Sequence, residues 1–133
     1  MARRTWSRTF AGTIGQVPVA RRWVGALVGA RRAAEAALLA GELASNAVLH
    51  TRSGVPGGQF GVVVTTTCAR VRVEVRDGGS QSVPTVAEED LEAPGGRGLL
   101  LVDLTAAAWG VSGSADGRTV WFELPQSRAR LSA

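Results

Sequence analysis

A chain of 133 residues has the length of one ordinary domain and buries enough surface to fold without disulfides or structural metals. All fifteen basic residues are arginine, so the absence of lysine excludes a phosphate-binding or Schiff-base lysine. The single cysteine, Cys68, has no partner for an internal disulfide. We expect it to be a buried structural thiol in a reducing compartment.

The net charge of +4 does not by itself indicate a nucleic-acid-binding protein. The arginines are spread from residue 3 to residue 130, and the few aromatic residues are not interleaved with them as a base-stacking surface requires. The longest apolar stretch, residues 23–30, falls far short of the about 20 residues that cross a membrane. We therefore expect a cytoplasmic protein that contacts neither nucleic acid nor a membrane directly.

The first half of the chain is predicted to form one strand and two helices. The strand covers residues 5–11, and Pro18 suits the first turn of a helix that runs to about residue 29. A second helix is predicted over residues 32–50, which are rich in alanine and leucine, and the turn-forming residues 51–58 end it. Its apolar stripe comprises Leu39, Leu43 and Ala47.

Two strands are predicted next, over residues 59–67 and 70–76. The second alternates cleanly between valine and charged residues, which is typical of a sheet with one face on the core and one in water. The inward residues are Val71, Val73 and Val75, and the outward residues are Arg70, Arg72, Glu74 and Arg76. This alternation predicts an antiparallel arrangement.

A long loop, residues 80–94, separates these strands from the last elements, and it carries an acidic patch at residues 88–92 that we expect to face solvent or a partner. A helix over residues 99–108 and a hairpin of residues 109–112 and 118–124 are predicted to complete the fold. The hairpin's inward residues are Val120, Phe122 and Leu124.

These elements predict an α+β fold, a two-layer sandwich with helices on one face of a mixed, mainly antiparallel sheet. We expect one domain over residues 5–125, with flexible termini at residues 1–4 and 126–133.

Three polar side chains form a narrow stripe on the second helix. Glu42, Asn46 and His50 recur at four-residue spacing beside the apolar stripe. An asparagine carbonyl can bind Mg²⁺, and a glutamate one turn away can accept a proton from a nucleophile. The alternative is a solvated helix face on which His50 complements the helix dipole.

Two glycine-containing segments have both a structural and a functional interpretation. Asp77, Gly78 and Gly79 at a strand end are typical of a turn, but the carboxylate can also face the exocyclic amine of a purine. The glycine-rich residues 95–98 before the predicted helix form either a tight entry or an anion site made of backbone amides.

In this order, the motifs resemble those of the Bergerat ATP-binding fold, which DNA gyrase, histidine kinases and MutL share. Residues 41–51, 96–103 and 117–121 are most similar to the small anti-sigma-factor serine kinases of actinobacteria. The resemblance covers about residues 5–125.

The resemblance implies a role for each matching residue. Asn46 would hold Mg²⁺, and Glu42 would be the general base of a kinase. Asp77 would bind the adenine amine, with Gly79 beneath the ring and Thr119 supporting Asp77 through a water.

The remaining implied roles concern the phosphates. Gly96, Gly98 and Leu99 would offer backbone groups to them, and Arg97 would add positive charge or face solvent. His50 would support the site from the end of the helix rather than touch the nucleotide.

The resemblance thus implies an ATP- and Mg²⁺-dependent serine/threonine kinase that regulates transcription. It would phosphorylate a small STAS-type anti-sigma antagonist and sequester a sigma factor, and it favours a homodimer with residues 21–30 as a partner face. A non-catalytic ATP-binding module that only captures a partner is the alternative. An arginine-rich nucleic-acid binder is a third hypothesis, which predicts steeply salt-dependent DNA affinity.

Overall fold

The computed structural model describes residues 2–79 and 99–126. The helices are α1 (Val17–Leu27), α2 (Ala30–His50) and α3 (Leu100–Thr105), with 3-10 turns at Ile14–Gln16 and Arg52–Gly54. The strands are β1 (Arg4–Ala11), β2 (Gln59–Thr66), β3 (Arg70–Asp77), β4 (Ala108–Ser114) and β5 (Gly117–Pro125). None of these helices has the length and apolar character needed to span a membrane.

The five strands form one sheet in the order β1-β2-β3-β5-β4. All four pairings in this sheet are antiparallel, so the described strands include no parallel pair where the prediction allowed a mixed sheet. The β2–β3 and β4–β5 hairpins account for two of these pairings, because short connections join only antiparallel neighbours. The predicted α+β fold is confirmed.

The core lies between the helices and one face of the sheet. The three inward valines of β3 are buried, as are the inward residues of β5 and the Leu39, Leu43 and Ala47 stripe of α2. Phe10 of β1 stacks on Phe60 of β2, with ring centroids 5.4 Å apart, and closes the core at the β1 edge. The period-2 and period-3.6 patterns in the sequence therefore identified the buried faces correctly.

The opposite face of the sheet is polar and linked by ion pairs. Arg72 donates hydrogen bonds to Glu74 (3.0 Å) and to Glu123 (2.9 Å), and its guanidinium lies 4.0 Å from the Trp121 ring centroid. Partial burial opposes ionisation of Glu123, but hydrogen bonds from Arg72 and Arg70 hold its pKa below the ordinary value. Among the described residues, arginine and glutamate side chains rather than helices lie on this face.

The helix boundaries differ most from the prediction at α3. The sequence predicted a helix to residue 108, but α3 ends at Thr105. The reason is that Ala106 is extended, with ψ 149°, and the Ala107 amide donates a hydrogen bond to the Glu123 carbonyl at 2.9 Å. Strand pairing here outweighs the helix propensity of alanine. The strand β1 also begins at Arg4, inside the segment predicted to be a loose terminus.

The prediction that Cys68 is buried is wrong. Its side chain is exposed, because β2 ends at Thr66 and Cys68 lies in the turn before β3. The hydroxyl of Thr67 accepts hydrogen bonds from the amides of Ala69 and Arg70, both at 3.1 Å, and so builds this turn. The apolar run before Cys68 therefore stops short of the cysteine itself.

Candidate functional site

The candidate site is built around the polar stripe of α2. Asn46 is only 8% exposed, whereas Glu42 and His50 are half-buried. Within residues 2–79 and 99–126, nothing hydrogen-bonds the buried Nδ2 of Asn46. A buried polar atom without a partner costs about 1–3 kcal/mol of stability, so its presence indicates a group positioned for a ligand rather than for the fold.

Glu42 lies next to a close contact between α1 and α2. Arg21 of α1 crosses the preceding residue, Gly41, and leaves little room for a side chain there: a Cβ would lie 2.6 Å from the Arg21 Cδ. Burial raises the pKa of Glu42 above its ordinary value, and the positive charge of Arg21 acts in the opposite direction. A carboxyl with a raised pKa is better matched to proton transfer near neutral pH than an exposed glutamate is.

Hydrogen bonds fix the end of β3 to the turn that follows α2. The Gly79 amide donates to Oδ1 of Asp77 (2.6 Å), which closes a turn of the chain on the carboxylate. The Gly78 amide donates to the Ser53 hydroxyl (3.0 Å), and the Arg52 amide donates to the Gly79 carbonyl (3.0 Å). The half-buried Asp77 is thereby held beside the C-terminal end of α2.

Close backbone packing explains why position 79 is glycine. Its φ is +81°, and a Cβ there would lie 2.1 Å from the Ala115 carbonyl oxygen in the β4–β5 turn. The Arg52 guanidinium strengthens this junction by donating to the carbonyls of Gly78 (3.1 Å) and Ala115 (2.7 Å). A place for Gly79 beneath an adenine ring stays a prediction.

The strand register shows which residue of β5 lies opposite Asp77. β3 and β5 pair Asp77 with Arg118, and they pair Arg76 with Thr119. Side chains alternate along a strand, so Thr119 belongs to the polar face of the sheet with Arg76, whereas Arg118 shares the inner face with Val120. Arg118 is therefore a charged inner-face residue that sequence reasoning did not single out, and the water-mediated role of Thr119 stays a prediction. The alternation that placed Val120 inward was the signal for Arg118.

The predicted phosphate-binding residues are only partly within the described structure. Gly96, Arg97 and Gly98 lie outside the described residues, as does the predicted loop at 80–94. Leu99 is fully buried, and its carbonyl accepts a hydrogen bond from the Asp103 amide (2.8 Å) at the start of α3. The phosphate-binding role of these residues stays a prediction.

A family model described as the histidine kinase-like ATPase domain matches residues 10–124, which is most of the chain. The chain belongs to this family. The match extends from the end of β1 to β5, so it includes both the α2 stripe and the Asp77 turn. A search of the curated proteins found no match.

Membership in a histidine kinase-like ATPase family implies ATP binding, and the chemistry of Asn46 fits a Mg²⁺–nucleotide. Its amide supplies a neutral oxygen ligand, and Mg²⁺ is usually held by one or two protein groups together with phosphates and waters. Within the described parts of the chain, no three His, Cys, Asp or Glu side chains cluster as a metal site. A single buried asparagine is consistent with a Mg²⁺ ion whose other ligands are phosphates and waters.

Proposed function

We propose that residues 5–125 form one ATP-binding regulatory domain whose nucleotide site lies between α2 and the end of β3. The observation that carries this proposal is Asn46, which is buried and whose Nδ2 has no hydrogen-bond partner among the described residues, in a chain of the histidine kinase-like ATPase family. Two hydrogen bonds support it, one that the Ser53 hydroxyl accepts from the Gly78 amide and one that the Arg52 amide donates to the Gly79 carbonyl, because they hold the Asp77 carboxylate beside the same end of α2.

The proposed roles follow the chemistry of each side chain. Asn46 supplies an oxygen to Mg²⁺, which neutralises phosphate charge when it is bound. Asp77 accepts a hydrogen bond from the exocyclic amine of adenine. Backbone groups of Gly96, Gly98 and Leu99 contact the phosphates, and Arg97 adds positive charge near them.

The finer proposal is a protein serine kinase with Glu42 as the general base. The Glu42 carboxylate accepts the proton of a serine hydroxyl while the serine oxygen bonds to the γ-phosphorus and the bond to the ADP oxygen breaks. The raised pKa of Glu42 supports this role, because a stronger base accepts that proton more readily. His50 steadies the end of α2 behind these groups.

The proposed protein partners are a STAS-type anti-sigma antagonist, which supplies the serine, and a sigma factor that the free kinase sequesters. They derive from the resemblance of residues 41–51 and 117–121 to anti-sigma-factor serine kinases. A homodimer with residues 21–30 as a partner face belongs to the same proposal.

Thermal melting with ADP or ATP, each with and without Mg²⁺, tests nucleotide binding. At a hundredfold excess over Kd, binding adds about 2.7 kcal/mol, which raises Tm by roughly 10 °C in a domain of this size. The control variant is Asn46→Leu, which keeps the branched arrangement of side-chain heavy atoms and removes the buried amide. It should melt no lower than the native chain without nucleotide, yet show no Mg²⁺–ATP shift.

Absence of any shift in the native chain at millimolar nucleotide would contradict the proposed function. Kinase activity is tested separately with γ-labelled ATP and a STAS-type partner encoded beside this chain. Transfer of label to serine that Glu42→Gln abolishes, with the Mg²⁺–ATP melting shift retained, supports the kinase. A stable complex without transfer would contradict the kinase proposal and support a domain that only captures its partner in a nucleotide-dependent way.

A further inference from the structure

The strand β1 has a long and regular side that faces away from the rest of the sheet. Within the described parts of the chain it pairs with β2 and with no second strand, and all of Arg4–Ala11 lies in unbroken register with β2. It contains no glycine or proline, whereas β4 at the other edge contains two glycines, of which Gly113 has φ +97°. A long, regular edge strand is a template for pairing with another strand.

The backbone groups at this free edge belong to the odd-numbered residues of β1. The register of β1 and β2 continues to Gly12, whose amide donates to the Gly58 carbonyl (2.8 Å). Backbone groups of successive residues in a strand point to opposite sides, so the even-numbered residues bond to β2. The N–H and C=O groups of Thr5, Ser7 and Thr9 therefore point away from the sheet.

Aromatic residues adjoin the free edge on the inner face of the sheet. Trp6 and Trp23 are only partly buried against the core, and Trp23 of α1 packs edge-on against Phe10 with ring centroids 5.9 Å apart. Between Trp6 and Phe10 on this face, the exposed Arg8 has its guanidinium 4.8 Å from the Phe10 ring centroid. The edge thus presents a cation among aromatic rings, and such groups attract each other.

The sequence of β1 is complementary to itself about Ser7. When two identical strands pair antiparallel about a two-fold axis perpendicular to the sheet, one residue lies opposite its own copy. With Ser7 at that position, Arg8 lies opposite Trp6 of the second copy, which is a cation–π pair, and Thr5 lies opposite Thr9. A shift of one residue in either direction brings two arginines directly opposite each other, which is destabilising. Charge therefore selects the Ser7 register.

We propose that β1 pairs with β1 of a second copy of this chain, antiparallel and centred on Ser7, to form one continuous sheet. The outward N–H and C=O groups of Thr5, Ser7 and Thr9 bond across the junction of the two copies. The axis keeps both helical layers on the same side of the joined sheet. The inference rests on the homodimer included in the proposed function and deepens it, because it adds a strand pairing to the partner face at residues 21–30.

Sedimentation equilibrium of the native chain and two Ser7 variants tests the pairing. Ser7→Pro removes the amide at the centre of the junction and leaves the bonds to β2 intact, since proline is tolerated where the strand N–H faces outward. The dissociation constant of the dimer should rise by about tenfold to a hundredfold, the effect of losing two reciprocal hydrogen bonds. Ser7→Ala keeps the amide and should dimerise as the native chain does.

Disulfide cross-linking tests the register. In a Cys68→Ser background, Ser7→Cys places thiols on directly opposed residues whose Cα atoms are about 5.5 Å apart, a distance that a disulfide spans. Mild oxidation should therefore give a covalent dimer. Thr5→Cys is the matched control, because its copy lies about 14 Å away along the strand, and it should not cross-link.

A dimer that Ser7→Pro leaves unchanged, or in which Ser7→Cys does not cross-link, would overturn the inference and leave residues 21–30 as the interface. Cross-linking decides alone if Ser7→Pro does not fold. A native chain that stays monomeric at high micromolar concentration would overturn the inference and the homodimer together. The Mg²⁺–ATP melting shift decides the nucleotide site separately, because β1 pairing involves none of its residues.

Discussion

At the scale of single residues, Glu42 and Asn46 lie on the same stripe of α2, but burial affects them in different ways. The Nδ2 of Asn46 is buried with no hydrogen-bond partner in the described parts of the chain, so it costs stability that a bound ligand can restore. Glu42 is half-buried, and two opposing effects act on its pKa instead: burial raises it and the positive charge of Arg21 lowers it. Of these two residues, therefore, only Glu42 changes its charge with pH.

We expect the Glu42 carboxyl to titrate above the ordinary range of glutamate, and still higher in Arg21→Met. Burial favours the neutral form, and removal of the positive charge of Arg21 withdraws an interaction that favours the ionised form. As the pH falls, Glu42 therefore becomes protonated earlier than an exposed glutamate, and base activity is lost earlier. The measurement is an NMR titration of ¹³C-labelled glutamate carboxyls, with Glu42→Gln identifying the resonance.

The control for this titration is Arg22→Met. Arg22 is exposed on α1 next to Arg21 and does not contribute to the shift in the pKa of Glu42. Its midpoint should equal that of the native chain. An unchanged or lowered midpoint in Arg21→Met would contradict the assigned role of the arginine charge.

At the scale of elements, the site depends on the junction of three chain segments. The turn after α2, the end of β3 and the β4–β5 turn meet at Gly79, whose carbonyl accepts from Arg52 and whose Cα faces Ala115. The sequence identified each segment as a turn, but their contacts join residues about 25 and 60 positions apart. The junction, rather than any one turn, orients Asp77.

Gly79→Ala should destabilise the fold by several kcal/mol more than Gly57→Ala. Both glycines have φ near +80°, where a Cβ costs about 1–2 kcal/mol, but a Cβ at Gly57 meets nothing within 4 Å. At Gly79 it would meet the Ala115 carbonyl at 2.1 Å, so backbone must shift. Urea denaturation of both variants measures the difference, and equal losses would show that the junction is not tightly packed.

At the scale of the whole molecule, the sheet separates a structural interior from a polar exterior. Its inner face carries the core and the two groups of the Asp77–Arg118 pair, and its outer face carries the ion pairs of Arg72, Glu74 and Glu123. Ion pairs that stay partly in contact with water contribute little to stability, so the inner layer should account for most of the free energy of folding.

Val73→Ala should therefore cost about 2 kcal/mol of unfolding free energy, and Val63→Ala clearly less. Val73 is fully buried at the centre of the sheet, whereas Val63 is half-exposed on the outer face opposite Glu74. The same two methyl groups are removed in both, so only burial and the cavity left behind differ. Chemical denaturation measures both, and similar losses would mean that another surface covers the outer face.

Local patterns in the sequence determined the secondary structure, the buried faces and the α2 stripe. Alternation fixed the inward valines of β3, and four-residue spacing fixed Glu42, Asn46 and His50, because both signals depend only on backbone geometry. The same local reasoning failed at α3 and Cys68, where strand pairing and a turn decided the outcome.

Only the tertiary structure decided which residues meet in the candidate site. It set the β3–β5 register, which places Arg118 rather than Thr119 opposite Asp77, and it brought Arg21 across Gly41. These contacts depend on long-range pairing and on helix packing, for which single residues carry no local signal. The motif predicted that a site exists, and the packing of distant elements determined its composition.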